Sequence, residues 1–156
     1  MNIFDENGTN SLNQISEIEN LLLYKFPIKY VELVQKYDAL QLEDNTFDFI
    51  NIYGTKDDRD INFISLKKNH ENGNIIDFQK NICEIDNYGI KHLIVFGICG
   101  NGDYVCFDYR HNPMTDNPKV VLVYHDDFVD YEDGSSHMVI NFVADSFEEF
   151  MEMLHE

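Results

Sequence analysis

The residues best equipped for chemistry lie in "YHDDFVDYEDG", Tyr124 to Gly134. His125, Asp126, Asp127, Asp130 and Asp133 supply imidazole and carboxylate ligands of the kinds that zinc or a hard divalent cation takes. A metal held there could support hydrolysis, with a bound water as the nucleophile. Their spacing matches neither an EF-hand loop nor HExxH. The simpler reading is an exposed acidic loop between two strands, with no metal ligand assigned.

A second stretch, "VFGICGNGDYVCFDYR" from Val95 to Arg110, carries Gly97, Gly100 and Gly102. A phosphate-cradling loop needs a strand before it and a helix after it. Here the β-branched and aromatic "DYVCFDY" predicts a second strand, no Lys follows in the loop, and Asp103 would repel an anion. Asn101-Gly102 therefore predicts a two-residue hairpin turn. In that register Cys99 faces Tyr104 and Gly97 faces Cys106. Ile94, Phe96, Ile98, Val105, Phe107 and Tyr109 share one face, and Leu93, Val95, Cys99, Tyr104, Cys106 and Asp108 the other. Both faces are largely apolar, which predicts a central place in the sheet. Asp108 reads as a strand-end carboxylate accepting hydrogen bonds.

Nucleophilic chemistry finds no support. Cys83, Cys99 and Cys106 have no recognisable His partner, and GxSxG is absent. Three cysteines without CxxC spacing suggest neither a zinc site nor a disulfide framework. In the predicted register Cys99 and Cys106 are diagonal neighbours about 7–8 Å apart at Cα, beyond disulfide reach, so reduced thiols are expected. His70, His92, His111, His137 and His155 are scattered and read as surface or strand-edge residues. No catalytic residue and no cofactor is expected.

The elements around these residues can be read from caps and periodicity. Ser11 with Gln14 is a capping-box pattern ahead of Leu12, Ile15, Ile18 and Leu22. Pro27 suits the first turn of a second helix, with Ile28, Val31 and Val34 on one side. "TFDFINIY" (Thr46 to Tyr53) and "INFISL" (Ile61 to Leu66) read as strands joined through polar "GTKDDRD". Ile75, Phe78, Ile82 and Ile85 predict a helical face. "HLIVFGI", "YVCFDY", "VVLVYH" and "HMVINFV" read as strands. Ser146 and Glu149 cap a last helix striped by Phe147, Phe150, Met151 and Leu154. The expectation is one α+β domain over 1–156, a mainly antiparallel sheet of about six strands with N- and C-terminal helices packed on it.

Composition narrows the function. The 156 residues are 44% hydrophobic and 13% aromatic, a folded chain. The longest apolar run, around Asn20 to Phe26, is far short of a membrane span, and "MNIFDENGTN" lacks the features of a signal peptide, so a cytoplasmic protein is expected. Eleven basic residues against 29 acidic ones give a net charge of −18. Such a charge repels nucleic acid and anionic membranes and favours basic partners. After Lys119 there is no Lys or Arg, while ten carboxylates follow.

The order of these features is similar to that of one known family. The chain resembles the cell-wall-assembly-regulator (Smi/Knr-like) domain of the SUKH superfamily. The resemblance begins with a helix bearing Glu17 and Glu19, then "FPIKYVELVQKY", similar to a Leu-Pro-x-x-Tyr-x-x-Phe-Leu segment. "LIVFGICGNGDYVCFD", "PKVVLVYHDD" and "VADSFEEFMEML" follow in the family's order. Phe26 stands in place of the usual Leu before Pro27, and "DAL" (Asp38 to Leu40) where an Asn-Gly turn usually ends the second helix. The resemblance implies an α+β domain without a catalytic centre. It also implies a bacterial immunity protein that neutralises a toxin of a polymorphic toxin system, or a regulatory scaffold for endogenous proteins. A metal-dependent hydrolase is the more distant alternative. On the immunity reading the resemblance implies a basic protein partner, such as a nuclease toxin, met by a monomer or weak homodimer. Asp126, Asp127, Asp130, Glu132 and Asp133 form the first expected contact segment. Asp38, Glu43 and Asp44 form the second.

Overall fold

A computed structural model of the chain describes residues 1–83 and 89–156. The chain opens with β1 (Ile3–Asp5), α1 (Leu12–Leu22), α2 (Ile28–Lys36) and β2 (Gln41–Leu42). Next come β3 (Thr46–Ile50), β4 (Lys56–Asp60), β5 (Asn62–Phe63) and α3 (Ile75–Cys83). β6 (Leu93–Ile98), β7 (Tyr104–Asp108), β8 (Lys119–Asp130), β9 (Ser136–Ala144) and α4 (Phe147–Glu152) complete it. The fold is α+β. Its main sheet is an antiparallel meander in the order β5-β6-β7-β8-β9, five strands rather than about six. β1–β2 and β3–β4 form separate two-stranded antiparallel sheets.

The helices start where their caps predict. Ser11 Oγ accepts from the Gln14 amide at 3.1 Å, and Ser146 Oγ from the Glu149 amide at 3.1 Å. The Gln14 side chain donates to the Leu66 carbonyl at 3.4 Å instead of closing a capping box. In α2 the buried residues are Tyr30 and Val34, while Ile28 is exposed. Positions four apart share a stripe, and Ile28 lies two before Tyr30, on the opposite side. α3 buries Ile75 and Ile82 as its periodicity predicts; Ile85 of that predicted face lies outside the described residues.

Two strand readings change. The polar segment expected to be a connection is itself β4, paired with β3 from Thr46↔Asp60 to Ile50↔Lys56. Arg59 within it pairs with Asp103, and Asp57 accepts from the Tyr124 hydroxyl, tertiary partners that no local pattern reveals. The predicted strand over 61–66 shrinks to Asn62–Phe63. β1, three residues with an exposed Phe4, has no periodicity to announce it.

The glycine segment is a hairpin, as expected, but with a different turn. The Cys99 amide donates to the Asp103 carbonyl at 2.9 Å, and the Gly102 amide to the Cys99 carbonyl at 3.0 Å. Of Asn101 and Gly102 only Gly102 takes positive φ, +96°. This is a three-residue loop, a type I turn followed by a left-handed residue. The pairing is therefore Ile98↔Tyr104 and Gly97↔Val105, with Cys106 opposite Val95 and an irregularity between Val95 and Gly97. The bulge brings Phe96 onto Phe107, stacked at 4.0 Å between centroids and 14° between planes. β6 and β7 lie inside the sheet, and β7 is buried along its whole length.

That stacked pair is the centre of the core. Tyr30 of α2 meets Phe107 edge-on at 5.1 Å and Phe147 of α4 at 5.5 Å. Phe150 packs on Phe96 at 5.9 Å and on Phe47 of β3 at 5.2 Å. α3 is tied to β6 by Gln79, whose side chain donates to the Leu93 carbonyl at 2.5 Å and accepts from the Val95 amide at 3.0 Å. β5 pairs only with Gly97 and Ile98, so Gln79 satisfies backbone groups that β5 does not reach.

Gly97 is fixed by close approach. A Cβ there would sit 2.6 and 2.7 Å from Cδ1 and Cγ1 of buried Ile61. Gly97→Ala should destabilise by about 1–3 kcal/mol through overpacking. Adding Ile61→Val should recover part of that loss. Urea unfolding of the single and double variants followed by circular dichroism checks this, and strict additivity of the two substitutions would refute the contact.

Candidate functional site

The acidic segment is not a loop. β8 runs through it to Asp130 and returns as β9 from Ser136. The pairing passes from Val123↔Ile140 to Phe128↔Met138, five residues of β8 against two of β9. Tyr124 to Asp127 therefore bulge out of the ladder. Beyond the bulge the two strands close through Tyr131–Ser135, with Gly134 at φ +88°.

A polar network pins this bulge. The His125 amide donates to Asp103 Oδ1 at 3.0 Å, and the His125 ring Nδ1 lies 2.5 Å from the same oxygen. Arg59 Nε donates to Asp103 Oδ2 at 2.8 Å, and Asn101 Nδ2 donates to it at 3.0 Å. Arg59 also bonds Asp57 at 2.9 Å, and its guanidinium carbon lies 5.3 Å from the Tyr124 ring centroid and 5.9 Å from that of Phe49. The Tyr124 hydroxyl donates to Asp57 at 3.1 Å. Burial works against the charge of Asp103, but the His125 amide, the Arg59 guanidinium, the His125 ring and Asn101 outweigh it and hold the carboxyl below the ordinary carboxylate range.

The expected contact residues fall as follows. Asp126, Asp130, Glu132 and Asp133 are exposed, and Asp127 is half-buried. The Tyr53 hydroxyl, on the β3–β4 turn, donates to Asp127 Oδ2 at 2.7 Å. Asp133 accepts from the amide and hydroxyl of Ser135 at 2.9 and 2.5 Å, which tightens the turn. Glu43 is exposed and Asp44 half-buried after α2. Asp38 must be removed from the second patch. It is fully buried, and its carboxylate accepts from Leu66 N at 2.8 Å, Ser65 Oγ at 2.6 Å and Asn10 Nδ2 at 3.0 Å. Next to it Ala39 takes a left-handed φ of 49°, the conformation an Asn-Gly turn would supply.

The metal reading also changes. Among the described residues, the one triplet of ligand side chains with donor atoms within 4.8 Å of one another is Asp103, His125 and Asp126. Asp127, Asp130 and Asp133 do not join it. The His125 ring Nδ1 already lies against Asp103 Oδ1, so a metal shared by these two would have to part that contact. The sequence reading missed Arg59, Asp103 and Tyr53. The one available signal is that Arg59 is one of two arginines in a strongly acidic chain.

Two N-terminal helices, an antiparallel meander and a closing helix on a shared aromatic core make this an α+β protein of the SUKH type. The chain belongs to the SMI1 / KNR4 family (SUKH-1), whose family model matches residues 9–153. No individually curated protein matches it. β1 precedes the matched segment. No helix among the described residues is long and apolar enough to cross a membrane. Membership is consistent with an immunity-protein-like or protein-binding role, and the family consists generally of non-catalytic immunity or regulatory proteins.

Because the folded Asp103 carboxyl is held low, its stabilisation is present above the unfolded value near pH 4 and lost as pH falls through the folded value. The acid limb of stability should therefore be shallower below pH 4 in Asp103→Asn than in the parent. Arg59→Met leaves Asp103 buried without its cation and should cost about 3 kcal/mol at pH 7. Urea midpoints across pH 2.5–7 test both. Parallel acid limbs would remove Asp103 from the account.

Proposed function

We propose that the protein neutralises a basic protein, a bacterial toxin, by docking its acidic β8–β9 hairpin over the toxin's substrate-binding cleft. The observation that carries this reading is the hairpin itself. Asp126, Asp130, Glu132 and Asp133 stand exposed beside Asp127, in a stretch with no Lys or Arg after Lys119. Opposite charge steers diffusional encounter and suppresses wrong partners. Once docked, the carboxylates accept charge-assisted hydrogen bonds from Lys or Arg. A nuclease fits this chemistry well, because a cleft built for polyanions is basic.

On this reading the chain acts as one domain over 1–156, in the cytoplasm, as a monomer or weak homodimer and without a cofactor. Its charge disfavours nucleic acid and anionic membranes as partners. Glu43 and Asp44 supply the second contact patch. The experiment is co-purification of the tagged protein from its native organism, with and without the product of the adjacent gene, alongside a growth-rescue assay. Recovery of one basic toxic partner with rescue supports the proposal. Recovery of several endogenous proteins without rescue supports a regulatory scaffold instead.

With that partner in hand, joint neutralisation of the hairpin (D126N, D127N, D130N, E132Q, D133N) should slow association about tenfold or more at low ionic strength. The difference should vanish at high salt, where the Debye length shrinks to about 3 Å. Stopped-flow association rates measured across a salt series decide it. Unchanged rates and an unchanged salt slope would take the hairpin out of the interface.

A further inference from the structure

A second surface lies away from the hairpin. α2 and α4 leave between them a groove of about 510 Å³, within the range of ligand pockets. Leu33 of α2, Leu42 of β2, Phe147 and Met151 of α4, and Leu154 supply its apolar lining. Asp44, Glu148 and Glu152 stand around it, and none of the three pairs with a cation among the described residues. The one lysine on the groove, Lys29, already lies 3.7 Å from Glu32 on its own helix. Glu148 and Glu152 are one helical turn apart, about 6 Å along the axis.

From this geometry we infer that the groove receives an amphipathic, basic helical segment of a protein partner. Its aliphatic residues enter between α2 and α4, and its Lys or Arg residues meet Asp44, Glu148 and Glu152. The inference rests on the reading that the partner is a basic protein, and it adds the form of the segment that is recognised. A helix suits the groove better than an extended strand. Two of its walls are side chains of helices, which offer no backbone ladder, and at the end lined by Met1, Asn2 and Leu42 the Asn2 carbonyl already accepts from the Glu43 amide at 2.9 Å. An extended segment would leave its own N–H and C=O groups unpaired there, whereas a helix satisfies them internally. The acidic rim selects the charge of the occupant, since like charges along it would repel an acidic segment.

The test uses three synthetic 14-residue peptides with Leu at positions i, i+3, i+4 and i+7. Their remaining surface positions carry Arg, Gln or Glu. Each is titrated into the full ¹⁵N-labelled chain. The Arg peptide should shift amide signals of Leu33, Leu42, Asp44 and α4. The Gln peptide should bind about three- to tenfold more weakly, the worth of two or three partly shielded charge pairs, and the Glu peptide more weakly still. Asp44→Asn with Glu148→Gln and Glu152→Gln should bring the Arg peptide down to the Gln peptide's affinity and leave the Gln peptide unchanged. Met151→Lys should weaken all three, with circular dichroism confirming that the fold is kept. The hairpin-neutralised variant should bind the Arg peptide as the parent does. Shifts that map to 126–133, equal affinities for the three peptides, or no shift at millimolar peptide would each overturn the groove assignment. A hairpin variant that leaves toxin association unchanged while the Asp44/Glu148/Glu152 variant still weakens the Arg peptide would sink the hairpin and leave the groove standing.

Discussion

Asp103 is a buried carboxylate on which three hairpins converge. It ends the β6–β7 turn, accepts from Arg59 of the β3–β4 hairpin, and accepts from both the amide and the ring of His125 on β8. A buried anion left short of donors is expensive, so each donor must be held in place for the charge to be tolerated. That requirement fixes more than itself. Arg59 can reach Asp103 only if the polar segment 56–60 is extended and paired with β3. His125 can reach it only if β8 leaves its ladder for four residues. The bulge that distinguishes the acidic hairpin is thus a consequence of satisfying one oxygen pair. Arg59 in turn lies within cation–π reach of Phe49 and Tyr124, which commits those two rings as well.

The distribution of charge follows the same logic. In a chain of −18, the only two arginines are both spent on carboxylates of the strands and a hairpin turn: Arg59 on Asp57 and Asp103, Arg110 on Asp108. The planar guanidinium suits this duty, since Arg110 bonds both oxygens of Asp108 at 2.9 Å. Asp38 is managed differently, by neutral donors gathered from two stretches of chain, residues 7–10 and 65–66. Lysines supply the remaining basic charge, and none follows position 119. The carboxylates beyond Lys119 therefore mostly face solvent with little to balance them, which gives the molecule a persistent field on that part of its surface.

How far the sequence could be read depends on the range of the interaction involved. Caps and stripes are local, and Ser11, Ser146, Ile15, Ile18, Phe147 and Phe150 behave as their spacing predicts. The α+β class and the central hairpin were also legible, because alternating apolar runs leave few other ways to be buried. The turn at 99–103 was misread because Asn-Gly fits two hairpin geometries, and the choice rests on a bulge at Phe96 that serves the distant ring of Phe107. β4 was misread because five polar residues form a strand only when Asp103 and β3 await them. Asp38 was placed outside for the same reason: nothing near it in sequence announces Ser65 and Leu66. Of the first contact segment, the residue identities were legible but their setting on paired strands was not.

That setting matters for the binding proposed for the hairpin. A flexible acidic loop would be ordered on contact at a cost in entropy, whereas a paired hairpin has already met it. The turn at its tip has the form seen at Asn51–Thr55 and Cys99–Asp103, with a left-handed glycine at each. Asp133 holds the tip through Ser135, whose hydroxyl and amide keep that carboxyl below its ordinary range. Tyr53 holds the base through Asp127. Two of the five hairpin carboxylates therefore define the shape of the surface, and Asp126, Asp130 and Glu132 are left to present charge from it. The α2–α4 groove divides its residues in the same way. Phe147 and Leu33 pack against the core, while Glu148 and Glu152, on the solvent side of the same helix, take no part in it. In both places the fold spends some side chains on rigidity and leaves adjacent ones without an ion-pair partner among the described residues, an arrangement that suits a protein-binding surface because it lowers the ordering cost.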